Sequence, residues 1–153
     1  MHAIESAAPR RRAPAGPFGA QPRQRIVAAG TTAPLLLIAD DVEDTRALYA
    51  ESFEELGFRI AEAVDGEHAL FKISSTRPSL IVMDISMPIL DGIETTKKIR
   101  GDAKTANIPV IVLTGHATPE NIQRAKAAGA DAVLTKPCTP DALLVVVRRL
   151  LKI

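Results

Sequence analysis

Five side chains in this chain of 153 residues are of types that could do chemistry together. Asp40 and Asp41 close the apolar run Leu35–Ala39, Asp84 closes Leu80–Met83, Thr114 closes Ile108–Leu113, and Lys136, after Thr135, closes Ala132–Leu134. If those runs are parallel strands of one sheet, all of these residues lie at its carboxyl edge, where such sheets bind ligands. Three carboxylates, a hydroxyl and an ammonium then converge. A pair of like charges about 4 Å apart costs ~4 kcal/mol at an effective dielectric near 20. One lysine cannot offset three negative charges, so either a carboxylate is protonated or a cation is bound. Hard oxygen ligands with no His or Cys among them favour Mg²⁺, which accepts one or two carboxylates together with phosphate oxygens. A divalent ion beside a carboxylate, with a lysine and a hydroxyl for the remaining oxygens, suits phosphoryl transfer, in which positioning and charge neutralisation supply most of the catalysis. A carboxylate can itself be the nucleophile and form an acyl phosphate. Taken singly, each aspartate is most simply a helix cap or a turn former. Their shared edge is what points to chemistry.

The elements that must position these residues alternate regularly from Pro34 onward. After Leu35–Ala39 a helical pattern runs from about Val42 to Leu56, with Thr45, Leu48, Tyr49, Ser52, Phe53 and Leu56 on one face. Gly57 ends it as a left-handed cap. Phe58–Val64 reads as a strand, half-exposed because of Arg59 and Glu62 and therefore suited to an edge, and Gly66–Ser75 as a helix. Leu80–Met83 is a buried strand, and Asp91 caps a helix through about Arg100. After the apolar run Ile108–Leu113, Thr118-Pro119 opens a helix that Gly129 closes. Ala132–Leu134 is the fifth strand, and Thr139-Pro140-Asp141 opens a last helix reaching Lys152. Five strand–helix units predict an α/β fold, a doubly wound parallel sheet with helices on both faces.

Composition narrows the alternatives. Hydrophobic residues make up 46% and charged residues 24%, as in an ordinary globular domain. The net charge of +1 does not point to a nucleic-acid binder. No apolar run approaches the ~18 residues that would span a bilayer, and no apolar core follows the first charges as in a secretory signal. A single cysteine, Cys138, excludes an internal disulfide, and no Cys/His cluster offers a zinc site. Residues 1–33 differ from the rest, with nine Ala, four Pro and a formal charge of +4, against −3 for residues 34–153. Proline at positions 9, 14, 17 and 22 and few large apolar side chains predict a disordered tail for 1–33.

Residues 34–153 resemble the receiver domain of bacterial two-component response regulators, the CheY-like family. Asp40-Asp41 after LLLIA look like its acidic pair and Asp84 in LIVMDISMP like its phosphorylated aspartate. Met87-Pro88 and Asp91-Gly92 fall in the loop that follows. Thr114 before Gly115 looks like the switch hydroxyl, and Lys136-Pro137 like the family's lysine with its proline bond. The resemblance implies a flavodoxin-like (βα)5 sheet of five parallel strands in order 2-1-3-4-5. It implies that Asp84 takes a phosphoryl group from a histidine kinase or histidine phosphotransfer protein. Asp41 and Asp84 would bind Mg²⁺ directly, Asp40 through water and Ser86 through its backbone carbonyl. Thr114 and Lys136 would contact the phosphoryl oxygens. The added charge, about −1.5 to −2, would bias the fourth helix and its neighbouring strand toward a partner-binding state.

That is a phosphorylation-controlled binding module in the cytoplasm, not an enzyme beyond promoting its own phosphorylation and dephosphorylation. It would act on a downstream protein and touch neither membrane nor nucleic acid directly. The last helix ends close to Ile153, which predicts a stand-alone receiver. Leu143, Leu144, Val146, Val147, Leu150 and Leu151 exceed one buried stripe, so that helix is expected to contact a partner or a second copy. One departure is Val133, where the family often has a Tyr or Phe whose ring turns inward as the threonine moves. Without the ring, a phosphorylation-independent pseudo-receiver is the rival reading. A Mg²⁺-dependent aspartyl-phosphate phosphatase would need a second carboxylate two residues beyond the nucleophile, and Ser86 stands there. No G-x-G-x-x-G or P-loop follows the first strand. In the family His116 would border the site and tune hydrolysis. His2 and His68 read as solvated, Tyr49 and Phe53 as packing, and Cys138 as an unreactive thiol.

Overall fold

The computed structural model describes Ile26 and residues 33–153. Five strands, β1 (Leu35–Ala39), β2 (Arg59–Ala63), β3 (Leu80–Asp84), β4 (Val110–Thr114) and β5 (Ala132–Thr135), alternate with five helices. These are α1 (Glu43–Glu55), α2 (Gly66–Thr76), α3 (Gly92–Gly101), α4 (Pro119–Ala128) and α5 (Pro140–Leu151). All strand pairs are parallel, in the order β2-β1-β3-β4-β5. The expected sheet and strand order are both present, and β2 is the edge strand its mixed composition predicts.

Alternation along each strand divides the core into two layers. Leu36 and Ile38 of β1, Leu80 and Val82 of β3, and Ile111 and Leu113 of β4 pack with Tyr49 and Phe53 of α1 and Leu143, Val146 and Val147 of α5. The intervening residues Leu37, Ala39, Ile81, Met83, Val110 and Val112 pack with Ala69 and Ile73 of α2, Ile99 of α3 and Ala125 of α4. Helices α1 and α5 therefore cover one face and α2, α3 and α4 the other. Among the described residues, no helix is long and apolar enough to cross a membrane.

Helix starts are set by local side chains, and at Asp91, Thr118 and Thr139 by the ones the sequence proposes. Asp65, Asp91, Thr118 and Thr139 cap α2, α3, α4 and α5 by accepting the amides of His68, Glu94, Asn121 and Ala142. Gly57, at φ 106°, closes α1 with the paired bonds Gly57 N to Glu54 O and Phe58 N to Phe53 O. That bond removes the Phe58 amide from the ladder, and the Val64 amide donates to His68 Nδ1 at 3.1 Å, so β2 is shorter at both ends than its apolar run. His68 is accordingly half-buried and engaged rather than free in solvent. Strand β4 starts at Val110 rather than Ile108, because Pro109 has no amide and the Ile108 carbonyl accepts from Arg100.

In α5, Leu143, Val146 and Val147 are buried, and Leu144, Leu150 and Leu151 pack half-buried against the same core. The apolar excess is thus mostly absorbed, and the exposed apolar residue on α5 is Val145. The disorder expected for residues 1–33 concerns positions that, apart from Ile26 and Ala33, lie outside the described residues. Those two are tied down: the Ile26 amide donates to Leu56 O at 3.0 Å, and the Ala33 carbonyl accepts from Arg59 Nε at 2.9 Å.

Candidate functional site

Strand register and side-chain period assemble the site. Ala39 pairs with Met83, so the residues that follow them, Asp40 and Asp84, lie side by side at the carboxyl edge. Both continue the alternation of Ile38 and Val82 and fall on the α1/α5 face. Lys136 continues the series Ala132, Leu134 on β5, whose members pack against the same layer. Period two therefore sends two acids and one base to a common place.

The ammonium closes the gap. Lys136 Nζ donates to Asp40 Oδ2 at 3.0 Å and lies 3.4 Å from Asp84 Oδ2. Asp40 and Asp84 are both buried, at 2% and 5% exposure, while Asp41 stands exposed in the turn after β1. Carboxylate oxygens of all three aspartates lie within 4.8 Å of one another. The other oxygen of Asp40 accepts from Val42 N at 2.8 Å, which fixes the turn into α1. Asp84 Oδ1 accepts from Ser86 N at 3.4 Å, and Ser86 itself is exposed on the loop.

Thr114, 2% exposed, ends β4. Its hydroxyl oxygen accepts the His116 amide at 3.0 Å, and its carbonyl accepts the Lys136 amide at 2.8 Å. The backbone of the threonine thus holds the lysine's strand directly. His116 is exposed beside it, and its carbonyl accepts from Asn121 Nδ2. The Lys136–Pro137 bond is cis.

Burial pushes the Asp84 carboxyl above the usual carboxylate range; Lys136 pulls it down and Asp40 pushes it further up. Burial alone would lower the Lys136 ammonium, but its hydrogen bond to Asp40 and the charges of Asp84 and Asp40 outweigh that and leave it raised. Lys136 is therefore a fixed cation, and Asp84 an acid whose ionised form is poorly compensated. That is the electrostatic deficit a divalent cation relieves. The donor set, all hard oxygens with one member open to solvent, fits Mg²⁺.

A close backbone approach supports Asp84 from below. A Cβ on Gly92 would run into the Asp84 carbonyl oxygen and lie 2.9 Å from Ile85 Cα. The Gly92 amide donates to Ile85 O at 2.8 Å, so the start of α3 is seated on the end of β3. In the same loop Ile89, 71% exposed, holds φ at 70°, a left-handed conformation uncommon for a β-branched residue.

Two residues on α1 belong to this site although sequence reading gave them other roles or none. Arg46 NH1 donates to the Asp40 carbonyl at 2.8 Å, while its Nε donates to Glu62 Oε1 at 2.8 Å. The Tyr49 hydroxyl donates to the Cys138 carbonyl at 2.7 Å. A helical-face pattern finds the Tyr49 ring but not the destination of its hydroxyl.

A doubly wound sheet thus carries an acid–lysine cluster at the carboxyl edge beside its switch point. The family model described as "Response regulator receiver domain" matches residues 36–148. The chain belongs to that family, and residues 36–148 are a receiver domain of two-component signalling. It is 37% identical over 123 residues to the "Transcriptional regulatory protein PrrA" of Mycobacterium bovis, a match covering 80% of this chain and 52% of that one. The chain thus spans about half the length of the relatives it matches. Among solved structures, the Francisella response regulator 1452 receiver domain aligns at TM-score 0.73 with 38% identity, covering 78% of this chain and 97% of that one. The receiver domain of sensor histidine kinase PA1611 from Pseudomonas aeruginosa aligns at TM-score 0.74 with 25% identity, over 80% of this chain and all of that one. That structure carries a magnesium ion coordinated in its active-site cleft.

Proposed function

We propose that this receiver accepts a phosphoryl group on Asp84 from a histidine kinase or a histidine phosphotransfer protein, and that the modification switches binding to a downstream protein. The observation that carries the reading is the Lys136 ammonium lodged between Asp40 Oδ2 and Asp84 Oδ2, at 3.0 and 3.4 Å. It leaves a buried carboxylate beside a fixed cation, with a third carboxylate, Asp41, open to solvent.

Asp40, Asp41, Asp84 and the Ser86 carbonyl would hold Mg²⁺. When bound, the ion neutralises charge on the transferring phosphoryl oxygens. An Asp84 carboxylate oxygen attacks the phosphorus of a phosphohistidine, the P–N bond breaks, and the donor imidazole leaves with its electron pair and takes up a proton. The product is an acyl phosphate on Asp84. Lys136 contacts one phosphoryl oxygen and offsets its charge, and the Thr114 hydroxyl donates to another. The same hydroxyl oxygen accepts the His116 amide, which couples the modified site to the loop before α4. Exposed Ser86 and His116 flank the site and tune how water reaches the acyl phosphate.

We place this activity in the cytoplasm and read the protein as a phosphoacceptor rather than an enzyme acting on other substrates. Self-association through α5 would rest on Val145 and is tested by sedimentation across a concentration series. The phosphoacceptor reading is tested by incubating the full chain with acetyl phosphate and Mg²⁺. Intact mass should rise by one phosphoryl group that hydroxylamine removes, and Asp84→Asn should take up none. A wild type that remains unmodified would instead support the phosphorylation-independent binding module.

A further inference from the structure

Helix α1 grips the chain at both ends of the Lys136–Asp40 pair. Arg46 and Tyr49 are three positions apart, and residues so spaced are neighbours on one helix face. Arg46, with its side chain 13% exposed, donates to the carbonyl of Asp40 at 2.8 Å. Tyr49, 2% exposed, donates to the carbonyl of Cys138 at 2.7 Å, two residues beyond Lys136. Between those two carbonyls lies the 3.0 Å contact of Lys136 Nζ with Asp40 Oδ2.

Neither contact is explained by packing alone. A phenylalanine would fill the Tyr49 site and spare a buried hydroxyl its need for a partner. That hydroxyl stays a donor throughout the physiological range, its pKa pushed up to about 12, first by burial and then by Cys138, Asp40 and Asp84. The ion pair of Arg46 with Glu62, itself 46% exposed, is of the kind worth ~0–1 kcal/mol. The bond that distinguishes Arg46 is the charge-assisted one to the Asp40 carbonyl.

We propose that Arg46 and Tyr49 are positioning residues, with Arg46 fixing the turn that carries Asp40 and Asp41 and Tyr49 fixing the loop that carries Lys136. Helix α1 thereby sets the span between the acidic pair and the lysine. The catalytic consequence rests on the phosphoacceptor reading; the geometric claim does not.

The two contacts predict separable defects. Tyr49→Phe frees only the lysine loop: Mg²⁺ affinity stays within about twofold of wild type, while the rate of phosphorylation by acetyl phosphate at saturating Mg²⁺ falls about tenfold, as for one lost hydrogen bond. Arg46→Ala frees the acidic turn: the Mg²⁺ dissociation constant rises at least about tenfold, as for other residues that orient metal ligands, and saturating Mg²⁺ restores most of the rate. Glu62→Gln keeps the Arg46 bond to Asp40 and behaves as wild type. A further readout needs no phosphorylation: NMR relaxation at the Lys136 ε-methylene should show an ordered side chain in wild type and a mobile one in Tyr49→Phe. If both variants lose affinity and rate together, in step with a drop in Tm, the two residues only stabilise the fold and the proposal is overturned. Unchanged Lys136 order in Tyr49→Phe overturns it as well. Should the wild type itself take up no phosphate, the phosphoacceptor reading fails, and Mg²⁺ affinity and Lys136 order still decide the positioning roles.

Discussion

Lys136 Nζ, just past β5, and Asp84 Oδ2, at the end of β3, stand 3.4 Å apart although β4 lies between the two strands. The long lysine side chain spans a whole strand to reach the acid, and it meets Asp40, just past β1, as well. Removing that one cation leaves two buried carboxylates facing each other. Lys136→Ala should therefore cost about 2 kcal/mol or more at neutral pH, as expected when one partner of a mostly buried pair is lost. The pH dependence has a definite sign. Because the folded-state pKa of Lys136 is raised, its stabilisation is present in full below the ordinary lysine value of 10.5 and disappears as pH rises through the folded value. Urea unfolding from pH 8 to pH 12 should show this loss in wild type and not in Lys136→Ala.

At neutral pH the charge of Asp84 burdens the metal-free protein where that of Lys136 supports it. The folded pKa of Asp84 is raised, so the folded state holds the proton more tightly, and stability falls as pH climbs from 3.8 through the folded value. Asp84→Asn removes the buried charge and should stabilise the metal-free protein near pH 7, read as a rise in Tm. The gain should vanish at pH 3, where the carboxyl of the wild type is neutral. Thermal scans at the two pH values check both statements.

Mg²⁺ should remove the same penalty. Ligand that binds only the folded state stabilises by about 2.7 kcal/mol at one hundred times its Kd. Wild-type Tm is expected to climb with Mg²⁺ concentration. Asp41→Asn should need at least about tenfold more Mg²⁺ for the same shift, since it loses the charged ligand open to solvent. A Tm independent of Mg²⁺ would contradict the assignment.

Gly92→Ala should disturb Asp84 through its backbone. The new Cβ meets the Asp84 carbonyl oxygen, and relief requires α3 to lift from the end of β3. Overpacking of this kind costs about 1–3 kcal/mol. Chemical denaturation measures the cost, and Mg²⁺ affinity should fall with it, whereas Gly101→Ala, at a helical position with open space, should leave Mg²⁺ affinity unchanged and stability equal or slightly raised.

Much of this was readable in the sequence, for identifiable reasons. Asp40 and Lys136 are 96 residues apart, yet their meeting follows from each standing at a strand's carboxyl end with matching parity. The caps Asp65, Asp91, Thr118 and Thr139 are local chemistry, so helix starts were legible to within a residue or two. The ends of β2 and the start of β4 were not, because they depend on where single amides and carbonyls go: Phe58 to Phe53, Val64 to His68, Ile108 to Arg100. Tyr49 shows the same limit at the site. Its spacing marks a buried face, but the acceptor of its hydroxyl lies 89 residues away in a loop and leaves no periodic trace.

The two-layer core described above also governs which molecules can get in. Helices α1 and α3 leave neighbouring strands toward opposite sides of the sheet, which places Asp84 at the crevice where the strand order reverses. A crevice between diverging helices encloses less of a free metabolite than a closed pocket would, and tight binding of such a ligand needs enclosure. On the phosphoacceptor reading such a site would be reached by an imidazole held out on the surface of another protein, and the choice of donor would then fall to the outer contours of two macromolecules.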